Sequence, residues 1–236
     1  MTMILHDLQP ATFIKRYKRF LVDVERPDGT ILTVHCPNTG SMRGCLNPGN
    51  RVMISRSDNA KRKYPHTLEL IEVEGCWVGI NTMRTNHLVR EALEKGLVAE
   101  LGQVDRIQPE VKVSKRSRLD FLVSKGEEKI YIEVKNCTLV EDGKAMFPDA
   151  VTARGTKHLE ELADLLGPGV RAMIFFCVQG QDGDFFAPAD HIDPLYAETL
   201  RKVVEQGVEV VAYQAQVQPP EVVIKQGMPV SIERND

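Results

Sequence analysis

Two stretches of this chain, Arg118 to Ser124 and Lys129 to Lys135, are joined by only Lys125 to Glu128, all polar or glycine, and read as the arms of a β-hairpin. Opposite residues of an antiparallel pair keep a constant sum. Pairing Ser124 with Lys129 therefore sets Leu122 against Tyr131, Asp120 against Glu133 and Arg118 against Lys135. In that register one face carries Leu119, Phe121 and Val123 from one arm and Ile130, Ile132 and Val134 from the other, apolar throughout as a core face requires. The opposite face brings Asp120 beside Glu133, with Cβ atoms about 4.5 to 5.5 Å apart. Two like charges so placed require a cation, and Lys135 on the same face or a divalent ion can supply it.

A hard ion such as Mg²⁺ or Mn²⁺ takes a few carboxylate oxygens and keeps several waters. Lys135 can position or polarise such a water for attack on a phosphodiester while the ion stabilises charge on the phosphate. Asp120, Glu133 and Lys135 are the candidate catalytic residues, and Asp120 and Glu133 the candidate metal ligands. Two more carboxylates are considered: Glu91, which competes for an ordinary helix ion pair with Lys95, and Glu110, which opens the strand next to the pair.

Around this hairpin the hydrophobic period divides the chain. Arg19 to Glu25, Thr30 to His35, Arg51 to Arg56, Leu68 to Glu74 and Cys76 to Ile80 read as short strands punctuated by Pro27-Asp28-Gly29, Asn47-Pro48-Gly49-Asn50 and Gly75. Five such strands in under ninety residues suggest a small closed barrel of the OB type. After Asn81 the period becomes about 3.6, with Leu88, Val89, Ala92 and Leu93 on one face and Gly96 as the stop. The expected division is an OB-like domain over 1–82 and an α/β domain with a mixed central sheet over 83–236. In the second, strands Ile107 to Val113 and Arg171 to Val178 join the hairpin. Helices follow from about Thr152 to Leu166 and from Asp193-Pro194 to Gly207, then a strand from Val208 to Tyr213. The tail suggests one more hairpin, Val222 to Ile224 with Val230 to Ile232 around Gly227.

The 236 residues are 42% hydrophobic and 27% charged, which excludes natively unfolded and low-complexity classes. The first ten residues lack a signal-peptide pattern, and the longest apolar run, Ala172 to Val178, is far short of the roughly 20 residues of a membrane span, so no membrane partner is expected. Five widely spaced cysteines form no CxxC pair, which fits a reducing cytoplasm. The net charge of −3 conceals an asymmetry: residues 1–90 hold 13 Lys/Arg against 8 Asp/Glu, a surplus of +5, and the remainder carries −8.

The positive half concentrates its charge around aromatic rings. Lys15, Arg16, Lys18 and Arg19 flank Tyr17, and Lys61, Arg62 and Lys63 precede Tyr64. OB-folds bind nucleic acid by phosphate neutralisation and base stacking, so these seven cations and Tyr17 and Tyr64 are read as nucleic-acid-binding; a solubilising surface is the alternative. The loop Asn38 to Met42 offers backbone N–H groups to a phosphate or forms a plain turn. In the later helix Arg154, Lys157 and His158 share one face, away from Leu159 and Leu162, where they contact a nucleic-acid backbone or coat the surface. Trp77, His35 and His87 read as structural.

Asp120, twelve intervening residues and Glu133-Val134-Lys135, set among helix and strands in this order, resemble the core of the PD-(D/E)xK nuclease superfamily, with Leu119 where that pattern has proline. Longer strings are more specific: Arg16 to Phe20, Cys36-Pro37-Asn38-Thr39-Gly40-Ser41-Met42, Ser57-Asp58-Asn59, Lys61 to Thr67 and Phe147-Pro148-Asp149-Ala150-Val151-Thr152. They resemble the sugar fermentation stimulation protein A family. That resemblance implies an OB-like domain, a nuclease-like second domain, non-specific DNA binding and a regulatory role in maltose metabolism. The expected protein binds DNA with little sequence preference and carries a nuclease-like metal site. The alternatives are an active Mg²⁺-dependent endonuclease and an RNA-processing factor.

Overall fold

The structure, a computed structural model, describes residues 2–114, 117–180 and 183–234. Its first strand, β1 (Met3–Ile4), runs away from the neighbouring residues to pair antiparallel with β16 (Glu221–Met228). The barrel follows. Strands β2 (Gln9–Tyr17), β3 (Leu21–Glu25), β4 (Ile31–His35), β5 (Arg51–Arg56) and β6 (His66–Val73) pair in the order β4-β3-β2-β5-β6. A β4–β6 bridge at His35 and Thr67 closes the ring. Alternate residues such as Phe13, Val22, Val24, Ile54 and Leu68 fill it, each fully buried side chain contributing roughly 1.5 to 3 kcal/mol. The fifth barrel strand is β2; β7 (Cys76–Gly79), expected in the ring, extends β6 as an outer hairpin. Pro10 and the cationic end of β2 hide its alternation in the sequence.

The second sheet has seven strands in the order β1-β16-β15-β13-β10-β9-β8, adding β8 (Arg106–Lys112), β9 (Arg118–Lys125), β10 (Glu128–Cys137), β13 (Val170–Val178) and β15 (Glu209–Gln218). Strands β10, β13 and β15 run parallel and the outer pairs antiparallel, a mixed sheet. Helix α1 (Thr82–Glu94) lays Leu88, Val89, Ala92 and Leu93 on one face of it. Asn81 caps this helix by accepting from the Met83 N–H at 3.1 Å, and Gly96, at φ +63, ends it. Helices α2 (Ala153–Asp164) and α3 (Pro194–Glu205) cover the other face, with Leu159, Leu162 and Leu200 in the core. Asp193 joins their starts: one carboxylate oxygen caps α3 at Tyr196 and the other accepts from the Thr152 N–H at 2.8 Å.

Two further features depart from expectation. The tail forms no hairpin of its own, because Pro219-Pro220 turn the chain back onto β15; Gly227 pairs opposite Tyr213, and Val230 bridges to Phe186. A small third sheet, β11 (Leu139–Glu141), β12 (Lys144–Phe147) and β14 (Phe185–Pro188), was not legible, its strands being too short for a periodic signal.

The barrel and α1 are joined through a buried carboxylate. Glu69 of β6, 2% exposed, accepts from Ser55 at 2.7 Å, from the Asn81 amide at 2.8 Å and from the Arg84 guanidinium at 3.2 and 3.3 Å. Replacing it by alanine orphans buried donors on both sides of the junction. Glu69→Ala is expected to lower the unfolding free energy by about 2 to 3 kcal/mol in urea titration; a loss under about 0.5 kcal/mol would place this network among neutral surface contacts.

Candidate functional site

The hairpin register holds from Lys129↔Ser124 through Ile132↔Phe121, and there the β9–β10 ladder ends. β10 continues along β13, with Glu133 beside Ile174 and Lys135 beside Phe176. The two strands therefore part at the position where Asp120 and Glu133 would have paired. The Val134 N–H, released from the ladder, donates to Asp120 Oδ2 at 2.8 Å, and Asn86 of α1 donates to Oδ1 at 2.7 Å. Phe121, Val123, Ile130, Ile132 and Val134 lie in the core beneath α1 as the alternation requires, but Leu119 joins the cluster with Leu159 and Leu162 instead. The alternation breaks next to Asp120.

Glu133, 4% exposed, is held from one side only. Its Oε1 accepts from Lys135 Nζ at 2.6 Å and contacts His158 Nδ1 of α2, whereas Oε2 is buried with no partner among the described residues. Arg154 completes the chain by donating to His158 Nε2 at 3.4 Å. Burial pushes the Glu133 carboxyl up, but the His158 hydrogen bond and the Lys135 charge outweigh it and hold the group below its ordinary range. Asp120 behaves oppositely: burial first and the Glu133 charge second raise it to about 6. The two acids thus share a site with their proton affinities pushed apart, as in paired-carboxylate chemistry.

These groups open into a cleft of about 690 Å³ whose walls come from both modules. Arg16 and Arg19 of the barrel, the loop from Asn38 to Ser41, the start of α1 and the segment from Phe147 to Arg154 surround Asp120, Glu133 and Lys135. Arg16 is the organiser of the loop: Nη2 donates to Asn38 O at 2.7 Å, and Nη1 to Gly40 O and Ser41 O at 2.9 and 3.2 Å. Asp149 clasps the loop from the other module, accepting from the Met42 N–H at 2.8 Å while Ser41 donates to its carbonyl at 2.5 Å. Gly40 must be glycine here, since a Cβ would lie 2.5 Å from Asp149 Oδ1. The strings Cys36–Met42 and Phe147–Thr152, far apart in sequence, are the two sides of this clasp.

Several expected site residues are placed differently. The loop N–H groups of Gly40 and Met42 are already bonded, to Asn38 Oδ1 at 2.8 Å and to Asp149, so they are not free for a phosphate. Glu91 pairs with Lys95, and Glu110 with Arg118 at 3.3 Å; neither lines the cleft. His158, grouped from its spacing with surface cations, is 5% exposed and packs against Glu133. Lys157 remains on the surface and pairs with Glu161 at 3.3 Å, while Arg154 lines the cleft. Lys15 pairs with Asp23 at 3.7 Å, and the Tyr17 hydroxyl is tied to Asp23 Oδ1 at 3.0 Å. Lys18 and Arg19 occupy left-handed turn positions, φ 50 and 63, and of the two only Arg19 reaches the cleft. Lys61, Arg62, Lys63 and Tyr64 lie outside it; Arg62 donates to Thr67 at 3.0 Å, and Lys63 Nζ sits 5.5 Å from the Tyr64 ring. Asn86 escaped the sequence reading because one amide on a helix carries no signal of its own.

A family model described as the sugar fermentation stimulation protein RE domain matches residues 83–221, and one described as the SfsA N-terminal OB domain matches residues 14–80. The sugar fermentation stimulation protein homolog of Desulfotalea psychrophila is 57% identical over 210 residues, 89% of each chain. That of Pelobacter propionicus is 53% identical over 97% of this chain and 99% of its own. The solved structure of Pyrococcus furiosus SfsA in complex with Ca²⁺ aligns over 98% of this chain and 99% of that one, at 30% identity and a TM-score of 0.87.

The elevated Asp120 carboxyl has a thermodynamic consequence in metal-free protein. The folded state keeps its proton to about pH 6 and an unperturbed aspartate only to 3.8, so between these values the native state binds more protons and stability falls as pH rises. Relative to Asp120→Asn, the wild type is expected to lose on the order of 2 kcal/mol between pH 4 and pH 7. Urea titrations at stepped pH measure this difference, and a constant difference across the interval would contradict the assignment.

Proposed function

Because this chain belongs to the sugar fermentation stimulation protein family, we propose that it binds DNA with little sequence preference and hydrolyses phosphodiesters at a divalent-cation site formed by Asp120 and Glu133. The observation that carries this reading is the buried, unpartnered Glu133 Oε2 beside Asp120, at the floor of a cleft walled by arginines. An orphaned carboxylate oxygen next to a second carboxyl is a hard, oxygen-only donor set, which suits Mg²⁺ or Mn²⁺. The Ca²⁺ complex of the Pyrococcus furiosus relative supports an ion of this class. When bound, such an ion supplies charge stabilisation to the phosphate and lowers the pKa of a water.

The protein's own groups prepare that chemistry. Asn86 and the Val134 N–H orient Asp120, and His158 and Lys135 fix Glu133 through Oε1 so that Oε2 stays available. Lys135 Nζ, held at 2.6 Å from Glu133, is the donor that orients an attacking water. Arg19 and Arg154 neutralise phosphates along the walls, and Arg16 acts by shaping the loop. A cytoplasmic location suits the thiols: all five cysteines are free, and burial pushes Cys45 and Cys137 up to about 12. No helix of the described residues is long and apolar enough to cross a membrane. The relatives' name supports a regulatory outcome in sugar fermentation.

Binding without cleavage is the second reading. It is favoured by one observation: Lys135 Nζ, 2.6 Å from Glu133 Oε1, already sets a cation against the carboxylates. Supercoiled plasmid incubated with Mg²⁺ or Mn²⁺ decides between them. Nicking by the wild type and at least about a hundredfold slower nicking by Lys135→Ala is expected; intact plasmid with retained binding selects the second reading. Single-stranded RNA in the same assay tests whether the sugar is discriminated.

Affinity for DNA is expected to be electrostatic. Arg19→Ala/Arg154→Ala should weaken binding to all duplex sequences alike and flatten the slope of log affinity against log salt by about 2, near 0.9 per lost phosphate contact. Fluorescence anisotropy at several salt concentrations measures both quantities. A specificity ratio above about 10³ for one duplex would instead mark a sequence reader.

A further inference from the structure

A second cleft, of about 510 Å³, lies where the turn between β6 and β7 meets β15 and β16, and it shares no residue with the cleft that holds Asp120. Its walls carry Gln214, Gln216, Gln218 and Gln226 together with Trp77 and Lys225; Lys225 is the one charged side chain among the described lining residues. Gln214 is 9% exposed. Its Nε2 donates to Gly180 O at 3.4 Å and Ala215 O at 3.3 Å, while Oε1 is buried with no partner. A buried amide oxygen lacking a donor is costly, and a ligand bringing an N–H group into the cleft removes that cost.

The indole beside it is held in place. The Arg51 guanidinium lies 5.4 Å from the Trp77 ring centroid and is itself paired with Glu72 at 3.0 Å. A fixed aromatic ring suits a planar partner. The β15–β16 register shifts between Gln214 and Ala215, so the ladder is interrupted at the cleft, and such bulges recur beside binding sites. Trp77, which the sequence alone reads as structural, is thus placed with an amide whose oxygen lacks a donor, three further amides and a single cation.

We infer that this cleft binds a nucleotide whose base carries an exocyclic amino group, the amine donating to Gln214 Oε1, the base lying against Trp77 and the phosphate drawn by Lys225. The carboxamides pair with a base edge as they do in nucleic-acid recognition. The lone cation suits a phosphate better than an uncharged sugar. Binding here is separate from the chemistry of Asp120 and Glu133.

Trp77 is the single tryptophan of the chain, so intrinsic fluorescence of the full-length wild type reports on this cleft. AMP is expected to change the emission saturably, with IMP, in which a carbonyl replaces the amine, at least about tenfold weaker. Lys225→Ala should weaken AMP several-fold, and Gln214→Met, checked for folding by circular dichroism, should make AMP and IMP equivalent. Saturation by AMP assigns a free nucleotide, and saturation only by a single-stranded oligo-dA assigns a base within a strand. Equal responses to AMP and IMP in the wild type, saturation by glucose alone, or no saturable response to AMP or the oligomer would each overturn the assignment.

Discussion

A backbone N–H in a protein interior must find an acceptor, and that of Val134 finds one in the Asp120 carboxylate because the β9–β10 ladder has stopped two residues earlier. This bond joins the sheet to the cleft. Had the ladder continued, Asp120 and Glu133 would have stood as a repelling cross-strand pair. Its end lets one carboxylate take a main-chain donor while the other turns to Lys135 and His158. β10 continues as a strand through this point, paired with β13 on its other edge.

The cations around the site follow from burial. A carboxylate as enclosed as Glu133 remains charged only if charge and hydrogen bonds replace the lost water, and two groups from different elements do so. Asp120 has a neutral amide and a backbone N–H instead, and these lower its affinity for a proton less than burial and the Glu133 charge raise it. The site therefore has one fixed anion and one adjustable one. A bound cation would favour the charged form of both.

The two modules act as one unit at the cleft. Arg16 bonds three carbonyls of the 38–41 loop from within the barrel, and Asp149 holds the same loop from the α/β side. The surplus of positive charge in the first ninety residues suggests a binding half beside a chemical half, yet the cleft wall is shared: Arg19 comes from one module and Arg154 from the other. Net charge is a sum over surfaces and does not report which few cations face a site. Glu69, buried at the junction, makes the same point, being an anion that serves the interior.

Features that depend on local period and turn chemistry could be read from the residues alone. The hairpin and its register from Ser124↔Lys129 to Phe121↔Ile132, the helix after Asn81, the Pro194 helix start and the barrel strands β3 to β6 were legible because alternation, caps and glycine turns act within a few residues. The expected register also brought Asp120 and Glu133 to one site, although the ladder ends before the two would pair. The remaining features depend on contacts between distant elements. Whether β2 or β7 completes the barrel depends on which edge closes with β4, and whether β16 turns back onto β15 depends on an open sheet edge waiting there. His158 and Asn86 reach the acids from helices 25 and 34 residues away in sequence, and the basic run at 61–63 lies outside the cleft. Residue spacing gives the face of an element on which a side chain stands, but only packing between elements decides what that face meets.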